Sequence, residues 1–237
     1  VVDASRNQSP VHDPFSGHRN CSSHWKIDMS ANVDPGRYSR LYQTSLVESL
    51  WGDEPGSFVR KFVSGGCGVA YDLGCGDGRN LAWLSAMGYS AIGFDVDSLA
   101  VARAEKRLID SSAHSKSKAH RRDVVSLSEM PAASVIVAYG LLHCVSDDSV
   151  TDVIEWICRH TIPGSRLVVA VLTDGIPEPD GHGTSTLFLR NHRLYRAAFE
   201  KRWQFDGYEV SRLIESHMPL IGEHQHEILR FSAERRI

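Results

Sequence analysis

The chain has 237 residues, enough for one sizeable α/β domain or at most two small ones, and its 42% hydrophobic and 23% charged content is ordinary for a soluble globular protein. A formal net charge of −3 lacks the basic excess of nucleic-acid binders, no apolar run approaches the roughly 18 residues a membrane span needs, and no signal-peptide pattern opens the sequence. Five scattered cysteines, Cys21, Cys67, Cys75, Cys144 and Cys158, make no disulfide framework and fit a reducing cytosol.

Residues 1–35 are rich in Ser, Asn, Asp, Pro and His, have no sustained period, and read as an irregular tail or lid ahead of a single domain over 36–237. The His18, Cys21, His24 spacing within it has no evident fourth ligand, so no metal site is expected there. From Arg37, "RYSRLYQTSLVESLWG" carries a helical period with Gly52 as its stop, and "PGSFVRKFVSGG" predicts a second short helix. Strands and helices then alternate. "GVAYDLG" is a strand, "GRNLAWLSAMG" a helix ending at Gly88, "YSAIGFD" a strand and "DSLAVARAEKRLID" an amphipathic helix. "SSAHSKSKAH" reads as a polar loop and "RRDVVSL" as a short strand end and turn. "ASVIVAYGLL" is a buried-type strand, "SDDSVTDVIEWICRH" a helix with acids in its first turn, and "PGSRLVVAVLTD" a strand after a Pro-Gly turn. A Gly/Pro-rich loop, "DGIPEPDGHGTSTLF", precedes the helix "LRNHRLYRAAFEKRW". "YEVSRLIESHMP" and "HQHEILRFSAERR" then form an antiparallel hairpin at the sheet edge, because "LIGE" is too short for a helical crossover. The pattern predicts an α/β, Rossmann-like, doubly wound seven-stranded sheet, mostly parallel, with an antiparallel C-terminal hairpin strand.

Ligands of such sheets bind beyond the carboxyl ends of the strands. Gly74, Gly76 and Gly78 lie there, after the first strand and at the opening of the first helix of the alternating core. Glycines allow a tight turn and let a ligand approach bare backbone. A dinucleotide fingerprint G-x-G-x-x-G would place its third glycine at position 79, which is Arg79. The actual spacing is G-x-G-x-G, with Asp72 two residues ahead, which suits a cationic ligand better than a pyrophosphate. Asp95 ends the second strand 21 residues after Gly74, where an acid takes ribose hydroxyls; a helix N-cap is the alternative, a role Asp97 or Ser98 fills equally well. Asp72 likewise has a plain alternative as a strand-end acid.

"VAYDLGCGDGRN", "GFDVD" and "VIVAYGLLHCV" together resemble the class I S-adenosylmethionine-dependent methyltransferases, over about residues 37–235 by element order. "SLWGDEPGSFVRKFV" and "HQHEILRFSAER" are similar to the small methyltransferases of the tellurite-resistance type. The resemblance implies S-adenosylmethionine as cofactor. It implies Asp72 near the methionine amino end, and the 74–78 backbone, Cys75 included, lining that moiety and the ribose. Asp95 would hold the ribose hydroxyls, Val96 the adenine face, Asp123 the adenine amino group, and Val124 would give a backbone contact. Tyr139 and Gly140 would lie beside the reactive sulfonium. His143 and Cys144 fall where the family often has two histidines; the Cys puts any role of a histidine pair in doubt.

Cys75 reads as a small residue that fits its loop, without redox chemistry. Trp51 is either an aromatic closing over the cofactor or a core-packing tryptophan, and His182 either a lid residue or ordinary loop. His143 is the candidate base where the acceptor needs one, or a satisfied histidine at a loop start. His224 and His226 alternate on a strand and so share a face; lacking partners in the sequence they read as solvent-facing or core residues, with no metal expected. No N-P-P-Y-type motif follows the fourth strand, which argues against methylation of DNA bases or protein glutamine. The expected function is methyl transfer, in line and in an enclosed site, to an O, N, S or chalcogen nucleophile of a small molecule. Trp51, Tyr139, His143 and His182 are the candidate substrate contacts. The expected protein is cytoplasmic, a monomer or homodimer, with no nucleic-acid or membrane partner. An NAD-type oxidoreductase and a non-catalytic cofactor-binding module are the alternative readings.

Overall fold

In the computed structural model, residues 36–44, 49–111, 116–177, 187–217 and 221–237 are described. Helices α1 (Gly36–Thr44) and α2 (Ser57–Phe62) lead into a sheet whose elements follow as β1 (Val69–Leu73), α3 (Arg79–Ala86), β2 (Ser90–Asp95), α4 (Ser98–Asp110), β3 (Lys118–Arg121), β4 (Ala133–Tyr139), α5 (Asp147–Arg159), β5 (Thr161–Thr173), α6 (His192–Glu200), β6 (Trp203–His217) and β7 (Ile221–Arg235). The strand order is β3-β2-β1-β4-β5-β7-β6. The first five strands are parallel, β7 runs antiparallel between β5 and β6, and β6 forms the edge. The expected seven-stranded, mostly parallel sheet with an antiparallel hairpin strand is therefore present. The unit Asp34–Ile237 contains all of it. The tail with His18, Cys21 and His24 lies outside the described residues.

The central strands are β-branched and apolar because both their faces are covered. Tyr71, Leu73, Ile136, Ala138, Val169 and Val171 pack toward α5, whose Val153, Trp156 and Ile157 meet them. Ala70, Val135, Val137 and Val168 face the other way, onto Val59 of α2, Leu81 and Leu84 of α3, and Ala104 and Leu108 of α4. Helix α4 starts at Asp97, whose side chain accepts from Leu99 N and Ala100 N, both at 2.8 Å. Its Ala100, Ala104 and Leu108 repeat at the four-residue spacing of one buried stripe. Gly78 (φ +86) starts α3 in the left-handed region, and a Cβ there would sit 2.8 Å from the backbone Cα of Ala104. Its bareness lets α3 cross α4 closely.

Four local differences from the sequence reading have physical causes. The helix expected up to Gly52 is described over Gly36–Thr44, and residues 49–52 are irregular. Strand β3 occupies 118–121, from the end of the expected polar loop into the first residue of the expected strand end; only its Ala119 is buried, so no apolar run marks it. Strand β5 starts before the Pro-Gly turn. Residues 162–165 bulge out between the Ala133 and Val135 pairings, pinned by Ser165 Oγ donating to Ala133 O at 2.7 Å. Strand β7 begins at Ile221, so part of the expected connection belongs to the ladder.

Candidate functional site

Strand β1 delivers Asp72 to the sheet's carboxyl edge, fully buried, and neither carboxylate oxygen has a hydrogen-bond partner among the described residues. Burial pushes its pKa up to about 7, against the opposing pull of the Arg79 guanidinium. An unsatisfied buried carboxylate is costly, and a bound cation is what would relieve it.

The loop after Asp72 is held by β2. The amides of Gly74 and Cys75 both donate to Phe94 O, at 2.8 and 2.9 Å, and Gly76 N donates to Asp95 Oδ2 at 2.9 Å. Asp97 N donates to the other Asp95 oxygen at 2.9 Å. Burial raises the Asp95 pKa, and these amide hydrogen bonds oppose the rise. The N-cap role itself falls to Asp97. Asp95 is thus fixed at the strand end, with one amide on each oxygen and lone pairs left to accept from a ligand. Cys75 turns its thiol into the α3–α4 core beside Gly93, and burial raises its pKa well above the ordinary thiol value. The Cys75 carbonyl accepts from Gly78 N at 2.9 Å.

Beyond β2, Val96 is half-buried and its carbonyl accepts from Arg121 Nε at 3.0 Å. Arg122 N donates to Asp95 O at 2.8 Å, which brings the ends of β2 and β3 together. Asp123 caps a 3₁₀ turn over Val124–Ser126, one oxygen accepting from Val125 N at 3.0 Å. Val124 is buried in the core on the α5 side.

A strap of residues 49–57 lies over this loop, and three residues of the glycine motif hold it. Asp77, buried, accepts from Leu50 N at 2.7 Å; Asn80 Oδ1 accepts from Gly56 N at 2.8 Å; the Arg79 guanidinium donates to Trp51 O. Trp51 Nε1 donates to Tyr42 Oη at 2.8 Å, and the Trp51 ring meets Tyr38 edge-on at 5.4 Å. Gly76 has φ +54, and a Cβ on it would come 2.8 Å from Tyr42 Oη and 3.3 Å from Trp51 Nε1. The strap continues onto β4, where Gly56 is bare because the Tyr139 ring fills the space within 2.6 Å of a built Cβ. The Arg79 guanidinium carbon lies 5.8 Å from the Tyr139 ring centroid.

After Tyr139, Leu141 covers Gly74, and a 3₁₀ turn over Leu142–Cys144 buries His143. Leu172 N donates to His143 Nδ1 at 3.2 Å, so the neutral ring carries its proton on Nε2, which faces Tyr38 Oη at 3.5 Å. In that tautomer the ring presents its Nε2 hydrogen to the Tyr38 side. Cys144 is exposed, its Sγ 3.7 Å from Gly140 O. The glycine loop, Asp72, Asp95, Trp51, Tyr139 and His143 thus converge at the carboxyl end of β1, β2 and β4. His182 lies outside the described residues.

Sequence reasoning missed Asp77, Asn80 and Tyr42. Asp77 and Asn80 stand in the glycine motif itself, so their place was visible, but nothing local tells that their partners lie 24 to 28 residues earlier. It also left His224 and His226 without a third ligand. The β6–β7 pairing brings Glu215 directly opposite His224.

The family described as "Methyltransferase domain" matches residues 70–164. A search of the curated proteins finds no match to the chain. Among solved structures, the chain is similar to TehB from Haemophilus influenzae, with a TM-score of 0.65 and 18% identity, covering 84% of this chain and 66% of that one. It is similar to a SAM-dependent methyltransferase from Methanosarcina mazei, with a TM-score of 0.62 and 16% identity over 78% of this chain and 99% of that one. It is also similar to the N-methyltransferase NodS from Bradyrhizobium japonicum, solved with S-adenosyl-L-homocysteine, with a TM-score of 0.52 and 16% identity over 71% of this chain and 78% of that one. Residues 70–164 thus match a methyltransferase domain, and the chain has the fold of the S-adenosylmethionine-dependent methyltransferases.

Proposed function

We propose that this methyltransferase moves a methyl group, in line and in an enclosed site, onto a small-molecule nucleophile. The observation that carries the reading is Asp72, a fully buried carboxylate with both oxygens unsatisfied beneath a glycine loop. A primary ammonium such as that of the methionine moiety is the cation that fits it. When bound, S-adenosylmethionine supplies an electrophilic methyl group on a sulfonium, so the chain's task is to bind, orient and exclude water. Asp72 holds the ammonium, Asp95 accepts from the ribose hydroxyls, and Val96 and Asp123 border the adenine. Trp51 and the strap cover the loop. Tyr139, fixed between Gly56 and Arg79, borders the acceptor side. Holding acceptor and methyl carbon in line supplies several kcal/mol of barrier reduction without a base. His143 serves as a donor that positions the acceptor.

The enclosed strap and the low net charge support a small molecule over a nucleic acid. Among the described residues no helix is long and apolar enough to cross a membrane.

The test is isothermal titration of the full chain with S-adenosylmethionine, S-adenosylhomocysteine and NADH, beside Asp72→Asn and Asp95→Ala. Binding of the first two, lost in both variants and absent for NADH, is the expected result. NADH binding alone overturns the reading in favour of an oxidoreductase.

A further inference from the structure

Strand β5 stops at Thr173, paired with Glu227, while β6 and β7 continue pairing as far as His217 and Ile221. The ribbon therefore overhangs the carboxyl edge of the sheet, the edge where Asp72 and Tyr139 lie. On the overhang, Glu215 stands directly opposite His224, and His226 follows two residues on, opposite Leu213. Strand alternation puts all of these on one face. Their ligand atoms lie within 4.8 Å of one another. The imidazole rings of His224 and His226 meet edge to face with centroids 4.8 Å apart, and His226 Nε2 lies 3.9 Å from Glu215 Oε2. His226 is 1% and His224 9% exposed, so the face they form is desolvated.

Two imidazoles and one carboxylate, converging in a dry setting, form the donor set that borderline divalent ions prefer. A tetrahedral ion with bonds of about 2.0–2.2 Å holds its ligands roughly 3.4 Å apart. The trio, spread over as much as 4.8 Å, is wider than that by up to about 1.4 Å, and side-chain rotation would have to bring it in. Three protein ligands leave a fourth position for water or a ligand atom, the arrangement of catalytic rather than structural sites. The neighbourhood is suggestive. The next residues inward on the same face, Leu213 and Ile228, pack in one cluster with Leu172 and Tyr139.

We propose that Glu215, His224 and His226 bind one divalent transition-metal ion of the zinc class at the overhanging end of the β6/β7 ribbon, with an open coordination position for an anionic group. That this group belongs to the methyl acceptor rests on the methyl-transfer reading; the ion's binding does not. An anionic phenolate or thiolate oxygen or sulfur is the class of donor that would fill the open position, and coordination would hold it deprotonated at neutral pH without a protein base.

The test uses the chelator-treated full chain, titrated with Co²⁺ under visible absorption and with Zn²⁺ in equilibrium dialysis. The expected result is a bound ion with the visible spectrum of a low-coordinate nitrogen/oxygen site. Affinity is expected to fall by more than about 100-fold in Glu215→Gln and in His224→Gln, since each removes a direct ligand and even outer partners are worth 10–100-fold. Both residues stand at the rim of the ribbon, and unchanged circular dichroism and S-adenosylhomocysteine binding show that the variants fold. Failure of the wild type to bind Co²⁺ or Zn²⁺ overturns the proposal, and so does an ion whose affinity neither substitution changes, because it then sits elsewhere. Bound metal without S-adenosylhomocysteine binding sinks the methyl-transfer reading and leaves the metal site standing; the reverse result does the opposite.

Discussion

The two ends of the crevice are built by different means. At the β1–β2 end, Asp72, the glycine loop and Asp95 come from one stretch of 24 residues, and much of the work is done by backbone: amides on Phe94 O and on Asp95, and bare Cα atoms under the strap. At the β4–β7 end, Tyr38, Gly56, Tyr139, His143 and Leu172 come from segments far apart in the chain, and side chains do the positioning. The first end is a motif, whose spacing follows from the geometry of one strand, one turn and one helix. The second is a convergence, which only the completed sheet creates. Substitutions at the first end should therefore weaken cofactor binding, and those at the second should spare it.

The largest expected effect is Asp72→Asn. It should cost at least about 100-fold in S-adenosylhomocysteine affinity by titration calorimetry, since a desolvated charge pair is lost. The same change should flatten the pH dependence of the ligand-free protein. A carboxyl whose pKa rises from 3.8 to about 7 on folding keeps its proton more tightly in the folded state, so its stabilising contribution is full below about pH 4 and is lost as the pH rises toward 7. That window is worth on the order of 4 kcal/mol. Thermal melts at pH 5 and pH 8 should show the slope in the wild type and less of it in the variant. Cofactor affinity should move the other way, strengthening from pH 6 to pH 8 as Asp72 ionises. A pH-independent affinity would show that Asp72 does not meet the ammonium.

Gly76→Ala comes next. The side chain must adopt φ +54 and push on Tyr42 Oη, at a cost of about 1–3 kcal/mol, and should weaken cofactor binding about tenfold through the displaced strap. Gly56→Ala probes the far end. Its backbone (φ −51, ψ 140) suits any residue, yet its methyl group would drive the Tyr139 ring away. Acceptor turnover should fall while S-adenosylhomocysteine affinity stays within about twofold; an equal loss in both would erase the distinction between the two ends. The smallest effect belongs to Trp51→Phe, which removes the hydrogen bond to Tyr42 and should cost about 1 kcal/mol of stability in a denaturant melt.

What was legible in the sequence follows the same division. The strand–glycine loop–helix unit and the acid at Asp95 could be read because all their determinants are local. Strand β3 could not, because an edge strand with one buried residue has no pattern to show. The His143 tautomer depends on Leu172 N, 29 residues away, and the third member beside His224 and His226 depends on the register of a hairpin. Asp77 carries no local signal, because its partners lie upstream, in a segment whose own pattern reads as helix.

The position of β7 bears on how the chain reaches this structure. Strand β6 is made before β7, yet among the described residues it pairs only with β7, and β5 gains its second neighbouring strand only when β7 arrives. During synthesis the nascent sheet therefore carries an open, apolar β5 edge, and β6 waits unpaired beside it. One late strand closes both, so this half of the domain is expected to be the last to form and the part that most needs shielding from other nascent chains.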